Sequence, residues 1–243
     1  METYEREIKI YDDDVGSVAY VQHMGSDITI VNSARVSFGV QKSSLDGRDK
    51  RLINYLVKHK HTSTFEHNVA TFKFVVPLFV RSQHHRHRTW SYNEISRRYT
   101  DKDLQFYEPS KFRTQHESNR QASNPDVLID PNLSEAYTST LIPPAAWHAS
   151  DAVREHHNRS LRLYAQLLKG GVCREQARGV LPQNLYTEYY GTVNLNNLLK
   201  FVHLRTHEGA QWEIQQVAKA ILEISTDLWP VAVASYRKIR GGV

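Results

Sequence analysis

The sequence RSQHHRHRTWSYNEISRRY, residues 81–99, holds five arginines and three histidines against a single acidic residue, Glu94. Burying a guanidinium group without an anionic partner costs free energy, so a dense set of arginines needs an anion to bind. The planar guanidinium, with its five donors, matches the oxygens of phosphates and carboxylates. This stretch therefore predicts an anion-binding site, and the flanking residues must supply its scaffold.

The residues on either side of this stretch predict a strand, a helix and a turn. Residues 69–76 are mostly β-branched or aromatic, which favours a strand. Residues 78–90 predict a helix in which Gln83 and Arg86, three positions apart, share one face. Residues 91–98 predict a polar turn that leads away from the helix.

Two Ser-x-x-Glu spacings, Ser63 to Glu66 and Ser91 to Glu94, match the capping box that begins many helices. The first pair precedes a predicted strand, where a helix cap has no use, so we interpret it as a pair of ligand contacts in a turn. The second pair could be an ordinary cap, but the helical pattern that follows it is weak.

Farther from this centre, strands come early and helices come late, without regular βαβ alternation. We predict a pair of strands within residues 6–23 and one strand at 185–193. The first predicted helix begins at residues 26–27 and stops by Gly39, and the second is entered at residues 46–50 and ends near residue 60. Further helices are predicted at residues 152–168, 173–181, 194–204 and 210–228. This order predicts an α+β fold, one domain with a mixed or antiparallel sheet and long helices.

The last predicted helix has the most regular pattern in the chain. Its apolar residues recur at spacings of 4, 3, 4, 3 and 4, at Ala210, Ile214, Val217, Ile221, Ile224 and Leu228. This spacing is typical of a buried helix face. We interpret it as core packing in preference to a subunit interface.

The pattern is weakest in residues 107–148, which contain five of the eight prolines. We predict a long loop or partly ordered excursion there, with the character of a lid over a site.

The bulk composition favours anionic ligands and an intracellular location. The formal charge is +5, which a nucleotide or a nucleic acid would satisfy equally well. Cys173 is the only cysteine, so no intrachain disulfide can form and a reducing cytosol fits. The N-terminus has no apolar leader and no run of 18 apolar residues occurs, so we predict a cytoplasmic protein without a membrane span.

Three other interpretations of these residues deserve weighing. Arginines interleaved with Trp90, Tyr92 and Tyr99 could bind single-stranded nucleic acid, although the intervening Glu94 dilutes the basic patch.

Histidines at 59, 61, 67, 84, 85 and 87 could bind a metal, but no HExxH or Cys-pair spacing is present and neighbouring arginines would repel a cation, so we predict no metal site. Cys173 could be a nucleophile beside Arg174, but no base pairs with it and we interpret it as structural.

Residues 86–98 fill every fixed position of RHRxxSxNExSxR, and with this motif the chain resembles the flavin-dependent thymidylate synthases. The similarity extends to Gln83, to segments 34–38, 61–67, 174–182 and 184–187, and to Arg205 with residues 210–213. It covers most of the chain, which we take as one synthase domain over residues 1–243. Residues 113–147 are predicted to be an insertion or flexible loop.

This resemblance implies reductive methylation of dUMP to dTMP. 5,10-Methylenetetrahydrofolate donates the carbon, FADH2 supplies a hydride, and NADPH restores the reduced flavin. The resemblance also implies a homotetramer with active sites shared between subunits, with no nucleic-acid or membrane partner. No cysteine nucleophile is used, so a cation must activate the uracil ring.

By resemblance, the catalytic residues are Arg205, the cation near uracil, together with His61 and Ser96. The implied dUMP contacts are Gln83, Arg86, Glu94, Ser96, Arg97, Arg98, Arg178 and Arg205. The implied FAD contacts are Ser37, Ser63, Glu66, Arg86, His87, Arg88, Glu94, Asn194, Asn196 and Lys200. Asn196, Lys200 and Gly209 depart from residues that some family members carry at these places. No glycine-rich dinucleotide motif marks a site for NADPH.

Overall fold

The computed structural model describes residues 6–133 and 147–240, and within them seven strands form two antiparallel sheets. The strands are β1 (Glu7–Lys9), β2 (Ser17–Met24), β3 (Val69–Pro77), β4 (Ser91–Glu94), β5 (Phe112–Gln115), β6 (Ser123–Ile129) and β7 (Tyr186–Asn194). Five of them form the main sheet in the order β1-β2-β3-β7-β4, and β5 pairs with β6 in a separate hairpin. The predicted α+β fold and the pair of strands within residues 6–23 are confirmed.

The helices pack on this sheet and on one another. They are α1 (Asp27–Arg35), α2 (Gly47–Lys58), α3 (Leu78–His84), α4 (Ala149–Lys169), α5 (Arg174–Ala177), α6 (Leu195–Arg205), α7 (Trp212–Leu228) and α8 (Pro230–Arg240). Short 3-10 turns follow α1 and α5 and connect α2 to β3. None of the helices in the described residues is both long and apolar enough to cross a membrane.

The central strand β3 explains why the sheet forms where it does. Ala70, Phe72, Phe74 and Val76 are buried and alternate with partly exposed residues, the period-two pattern of a strand with one face in the core. β3 pairs with β7 along its whole length, from Val69 opposite Asn194 to Pro77 opposite Tyr186. The segment before the arginine-rich stretch is therefore anchored at the middle of the sheet.

Helix α7 confirms the interpretation of its apolar spacing as core packing. Ile214, Val217, Ile221 and Ile224 all lie in the hydrophobic core, each at most 1% exposed. The helix begins at Trp212, two residues after the predicted start.

The prediction of a helix over residues 78–90 followed by a turn is wrong beyond residue 84. α3 ends at His84, and the Tyr92 hydroxyl donates to the carbonyl oxygens of His84 at 2.9 Å and His87 at 3.2 Å. The Tyr92 hydroxyl thus bonds to carbonyl oxygens that would accept from backbone N–H groups if the helix continued. Residues 91–94 then form the edge strand β4, where Gly191 on β7 leaves room for the Trp90 ring.

Residues 107–148 are predicted to be a long loop or partly ordered excursion, and the long-loop alternative is wrong in part, because β5 and β6 form a hairpin inside this segment. Residues 134–146 of the predicted insertion lie outside the described residues. The hairpin is tied to the body of the protein, since the Arg113 guanidinium lies 4.9 Å from the Trp212 ring centre.

Helix α8 follows the last predicted helix and was missed by the sequence analysis. The Asp27 carboxylate, almost fully buried, accepts 2.9 Å hydrogen bonds from the backbone N–H groups of Val231 and Ala232 in the first turn of α8. A residue 204 positions away thus caps this helix, and only the tertiary structure reveals it.

Replacing Asp27 with alanine should lower the free energy of unfolding by roughly 0.5–2 kcal/mol, the cost of losing a helix cap. Urea denaturation of wild type and variant measures this difference. Asp151→Ala, which removes an exposed aspartate from the first turn of α4, serves as the control and should have a smaller effect. Equal stability of Asp27→Ala and wild type would show that α8 does not depend on this cap.

Candidate active site

A pocket of about 560 Å³ lies between the end of β4, the loop after it and the turn that follows α5. Five of the predicted dUMP residues line it together: Glu94, Ser96, Arg97, Arg98 and Arg178. Neither Arg98 nor Arg178 forms an ion pair with any described residue, and both are exposed. Two unneutralised guanidinium groups at one pocket attract an anion.

Arg97 differs from its neighbours because its side chain is already used by the protein. Its Nη1 donates to the carbonyl oxygen of Lys102 at 2.7 Å and its Nη2 to that of Tyr186 at 3.4 Å. Burial lowers the pKa of this guanidinium. The Arg98 N–H donates to the Ser96 hydroxyl at 3.3 Å, so the turn over residues 96–98 is closed locally. Both Nη groups of Arg97 are therefore occupied within the protein, whereas its buried Nε has no hydrogen-bond partner among the described residues.

Glu94 also has partners within the protein. One of its carboxylate oxygens accepts hydrogen bonds from Nε of Arg81 at 3.1 Å and from the Thr187 hydroxyl at 2.6 Å. Arg81 and Thr187 line the same pocket, and sequence reasoning assigned a role to neither. Their signal was present, since Arg81 opens the arginine-rich stretch and Thr187 lies in a segment that carries the family resemblance.

A second cluster joins α3 to the end of α6, around Arg205. Its Nε donates to Nε2 of His87 at 3.0 Å, and its Nη2 donates to the carbonyl oxygen of Gln83 at 3.3 Å. Both acceptors are uncharged, and no described carboxylate pairs with Arg205. This half-buried cation keeps its charge available for a ligand, although burial lowers its pKa.

The aromatic layer beneath these clusters holds the turn between α3 and β4 in place. Nδ1 of the buried His84 ring is hydrogen-bonded to the Tyr189 hydroxyl at 2.8 Å. The centre of the His84 ring lies 4.6 Å from the ring centres of both Trp90 and Phe201. Burial and the nearby His87, His85 and Arg205 lower the pKa of His84 well below its ordinary value, so this ring is neutral. The turn is thus anchored from below and presents Arg86 and Arg88 to solvent.

Burial and the adjacent Arg205 lower the pKa of His87 to about 4 from an ordinary value of 6.5. Since the unfolded chain binds a proton in this range and the folded chain does not, stability should fall as the pH drops from 6.5 towards 4. Urea unfolding at several pH values tests this, and His87→Asn should show a shallower dependence. An NMR titration of the His87 ring with a midpoint near 6.5 would contradict the prediction.

The remaining predicted site residues lie on separate elements: His61 and Ser63 between α2 and β3, Arg86 and Arg88 after α3, and Ser37 after α1. His61, Ser63, Arg86 and Arg88 are exposed, and the guanidinium groups of the two arginines have no carboxylate partner among the described residues. Residues 62–65 form a 3-10 turn in which the Ser63 carbonyl accepts from the Glu66 N–H, so Ser63 is not a helix cap. Ser37 is also exposed, with its hydroxyl 3.4 Å from the Ala34 carbonyl oxygen.

Glu66, Asn194 and Asn196 meet where β7 leads into α6. The Asn196 side-chain amide donates to Glu66 at 2.8 Å, and the Asn194 side-chain oxygen caps α6 by accepting from the Asn197 N–H at 3.0 Å. Asn196 and Lys200 line a second pocket of about 320 Å³. Its basic lining residues are Lys60, Lys200, His203 and Arg240.

Metal and thiol chemistry find little support in this arrangement. Within residues 6–133 and 147–240, His, Cys, Asp and Glu side chains form no group of three that could hold a metal ion. Cys173, interpreted from the sequence as structural, is exposed, and its Sγ lies 3.8 Å from the Gln176 side-chain oxygen. Cys173 does not line the 560 Å³ pocket.

Comparison with known proteins agrees with this geometry. The family model described as thymidylate synthase complementing protein (Thy1) matches residues 20–231. The flavin-dependent thymidylate synthase of Thermus thermophilus is 42% identical over 225 residues, covering 93% of this chain and 77% of that protein. The one from Thermotoga neapolitana is 39% identical, covering 93% of this chain and 92% of that protein.

A solved structure shares the fold as well. The crystal structure of the UMP/dUMP methylase PolB from Streptomyces cacaoi, bound with 5-Br dUMP, superposes with a TM-score of 0.75 at 29% identity. The match covers 97% of this chain and 100% of that one. With the family model spanning residues 20–231 and the two relatives each matched over 93% of the chain, this chain belongs to the flavin-dependent thymidylate synthase family.

Proposed function

We propose that the protein converts dUMP to dTMP by reductive methylation, with FAD as its cofactor and 5,10-methylenetetrahydrofolate and NADPH as co-substrates. The observation that carries this proposal is the pocket in which Ser96, Arg98 and Arg178 meet without a neutralising carboxylate on either arginine. A nucleoside monophosphate supplies the doubly charged group that such donors bind.

The phosphate of dUMP is assigned to this pocket. Arg98 and Arg178 supply charge, the Ser96 hydroxyl supplies a donor, and the backbone around Arg97 completes the cradle. Glu94 is paired with Arg81, and the arginine's positive charge reduces the repulsion between this carboxylate and the phosphate.

Activation of the uracil ring is assigned to Arg205. A cation against the ring favours the N3-deprotonated form and raises the electron density at C5, where the carbon must be added. The neutral partners His87 and Gln83 orient the guanidinium without cancelling its charge. This route needs no thiol, and Cys173 is not among the residues that line the pocket.

The chemical types of the residues predicted to contact FAD fit a flavin dinucleotide. Arg86 and Arg88 are exposed cations without carboxylate partners, as a pyrophosphate requires, and His61 and Ser63 are exposed. We assign the pyrophosphate and ring contacts to these residues together with His87, Ser37 and Asn194. The chemistry that bound FAD supplies is hydride transfer. Lys200, in the 320 Å³ pocket, is a further cation on this side, whereas Asn196 is already bonded to Glu66.

The active site is proposed to be completed between subunits of a homotetramer. Supporting this, the 560 Å³ pocket is lined by Ser96, Arg98 and Arg178 but not by Gln83, Arg86 or Arg205 of the same chain. One nucleotide can use both sets if a neighbouring subunit brings the second set to the first. Light scattering after size-exclusion chromatography measures the oligomeric state.

Single-stranded nucleic-acid binding is less well supported. Base stacking needs exposed rings, yet Trp90 is 5% exposed and packed against Phe74 and Phe201. Of the three aromatic residues in the arginine-rich stretch, only Tyr99 is exposed.

A dTMP-formation assay, with folate, FAD and NADPH omitted one at a time, tests the proposal. We expect a yellow purified protein whose flavin spectrum changes when dUMP is added. Product should be lost when folate or NADPH is omitted, and when FAD is withheld from protein that has first been stripped of its flavin. A colourless protein that binds single-stranded nucleic acid with steeply salt-dependent affinity would favour the rival function. Mass spectrometry that traps the pyrimidine on Cys173 would overturn the cysteine-free route.

A further inference from the structure

A chain of polar side chains connects the β5–β6 hairpin to Gln83, one of the residues assigned to dUMP. Nε2 of Gln83 donates to Oε1 of Gln211, and Nε2 of Gln211 donates to Oε2 of Glu213 at 2.9 Å. The other oxygen of Glu213 accepts from the Arg113 guanidinium and from the Tyr107 hydroxyl, the latter at 3.3 Å. The substrate side and the hairpin therefore share one hydrogen-bonded path.

The end of this path is rigid and charged. Glu213 is 3% exposed, and Arg113 is held by a 3.0 Å bond from its Nε to the Ser123 hydroxyl and by its stacking on Trp212. A buried carboxylate with a cation beside it is a fixed hydrogen-bond acceptor that cannot reverse its polarity.

That fixed acceptor determines the direction of both amides. Glu213 can only accept, so Gln211 must turn its NH2 group towards it and its oxygen towards Gln83. Gln83 must then turn its own NH2 group towards Gln211. The Gln83 side-chain oxygen is left pointing away from the path, with no donor among the described residues.

We propose that Gln211 and Glu213 are positioning residues for dUMP, which hold the Gln83 amide so that its oxygen accepts a hydrogen bond from an N–H or O–H of the nucleotide. The inference rests on the proposed function, since it concerns the same substrate. It adds residues that do not touch the nucleotide and gives the β5–β6 hairpin a role through Arg113.

Two variants test the path: Glu213→Gln, which replaces the fixed acceptor by an amide that can face either way, and Gln211→Leu, which breaks the path. We expect each to raise the KM for dUMP by about threefold to tenfold, the range of one hydrogen bond, and to change kcat less. Calorimetric titration with dUMP should show the same loss of affinity. Gln211 is only partly buried, so its variant remains informative if Glu213→Gln lowers the Tm.

The decisive measurement is a double-mutant cycle with Gln83→Ala. If Gln211 and Glu213 act through Gln83, their variants should cause no further change in dUMP affinity once Gln83 is alanine. Gln215→Leu is the control. Gln215 lies on the same helix, but its side chain donates to the Ala210 carbonyl and takes no part in the path, so this variant should leave the KM for dUMP unchanged.

Additive effects in the cycle, or unchanged dUMP affinity in both variants, would overturn the inference while leaving the proposed function intact. A wild-type protein that forms no dTMP in the complete assay, and does not bind dUMP, would instead overturn the proposed function. The two failures are thus told apart by the wild type alone.

Discussion

Replacing Arg205 with alanine should lower kcat for dTMP formation by about 10²–10³-fold, the usual cost of removing a charge-stabilising donor, while the protein still binds FAD. Arg205 is the cation assigned to the uracil ring, and in the folded chain its charge is not neutralised by any described carboxylate. Its contacts with His87 and Gln83 orient it but leave the charge for the substrate. Single-turnover measurements of dTMP formation give the rate, and the flavin absorbance of the purified variant gives the cofactor content.

Two further variants separate the chemistry from the folding. Arg205→Lys keeps a charge but loses the planar fork, so it should recover part of the rate lost in the alanine variant. Arg237→Ala removes an exposed arginine from α8 and should leave the rate unchanged. Full activity of Arg205→Ala would remove Arg205 from its assigned role, and loss of flavin together with activity would show that it serves the cofactor instead.

Replacing Arg178 with alanine should raise the KM for dUMP by about tenfold to a hundredfold, the range of a charge-assisted hydrogen bond. Arg178 lies in the 3-10 turn after α5 and lines the 560 Å³ pocket opposite the residues that follow β4. It has no carboxylate partner in the described residues, so its loss removes charge offered to the phosphate and breaks no ion pair. Because the phosphate does not react, kcat at saturating dUMP should change less than KM.

Arg174 provides the matched control for this prediction. It lies four residues earlier, is exposed, and pairs with Asp101 at 3.4 Å, so Arg174→Ala should leave the KM for dUMP near the wild-type value. Deoxyuridine, which lacks the phosphate, supplies a second control, since its weak binding should not respond to Arg178→Ala. A variant that loses affinity for both compounds equally would show that Arg178 does not recognise the phosphate.

Much of the candidate site could be predicted from local sequence. The spacing over residues 86–98 identified the family, the β-branched and aromatic composition of residues 69–76 correctly predicted the strand β3, and the apolar spacing of α7 correctly predicted its burial. These features depend on residues within a few positions of one another, where periodicity and chemical type carry the information.

The errors lie where a long-range contact overrides local preference. Residues 85–90 have a helical pattern, yet α3 ends at His84, whose carbonyl oxygen accepts a hydrogen bond from the Tyr92 hydroxyl. Residues 91–94 look like a turn because they are short and polar, but pairing with β7 makes them an edge strand. A proline-rich composition likewise concealed the β5–β6 hairpin, whose Arg113 bonds to a carboxylate 100 positions later.

By itself, the sequence determined that this chain carries an arginine-rich anion site, an α+β core and the motif of a thymidylate synthase, because each is written in neighbouring residues. Only the tertiary structure decided which arginines are free to bind a ligand. Arg81 is paired with Glu94 and Arg97 with backbone carbonyls, whereas Arg98 and Arg178 are left open, and Arg205 meets His87 from 118 positions away. The physical reason is that the charge available at a site depends on which groups the fold brings into contact. Local periodicity does not predict contacts between residues that are far apart in the sequence.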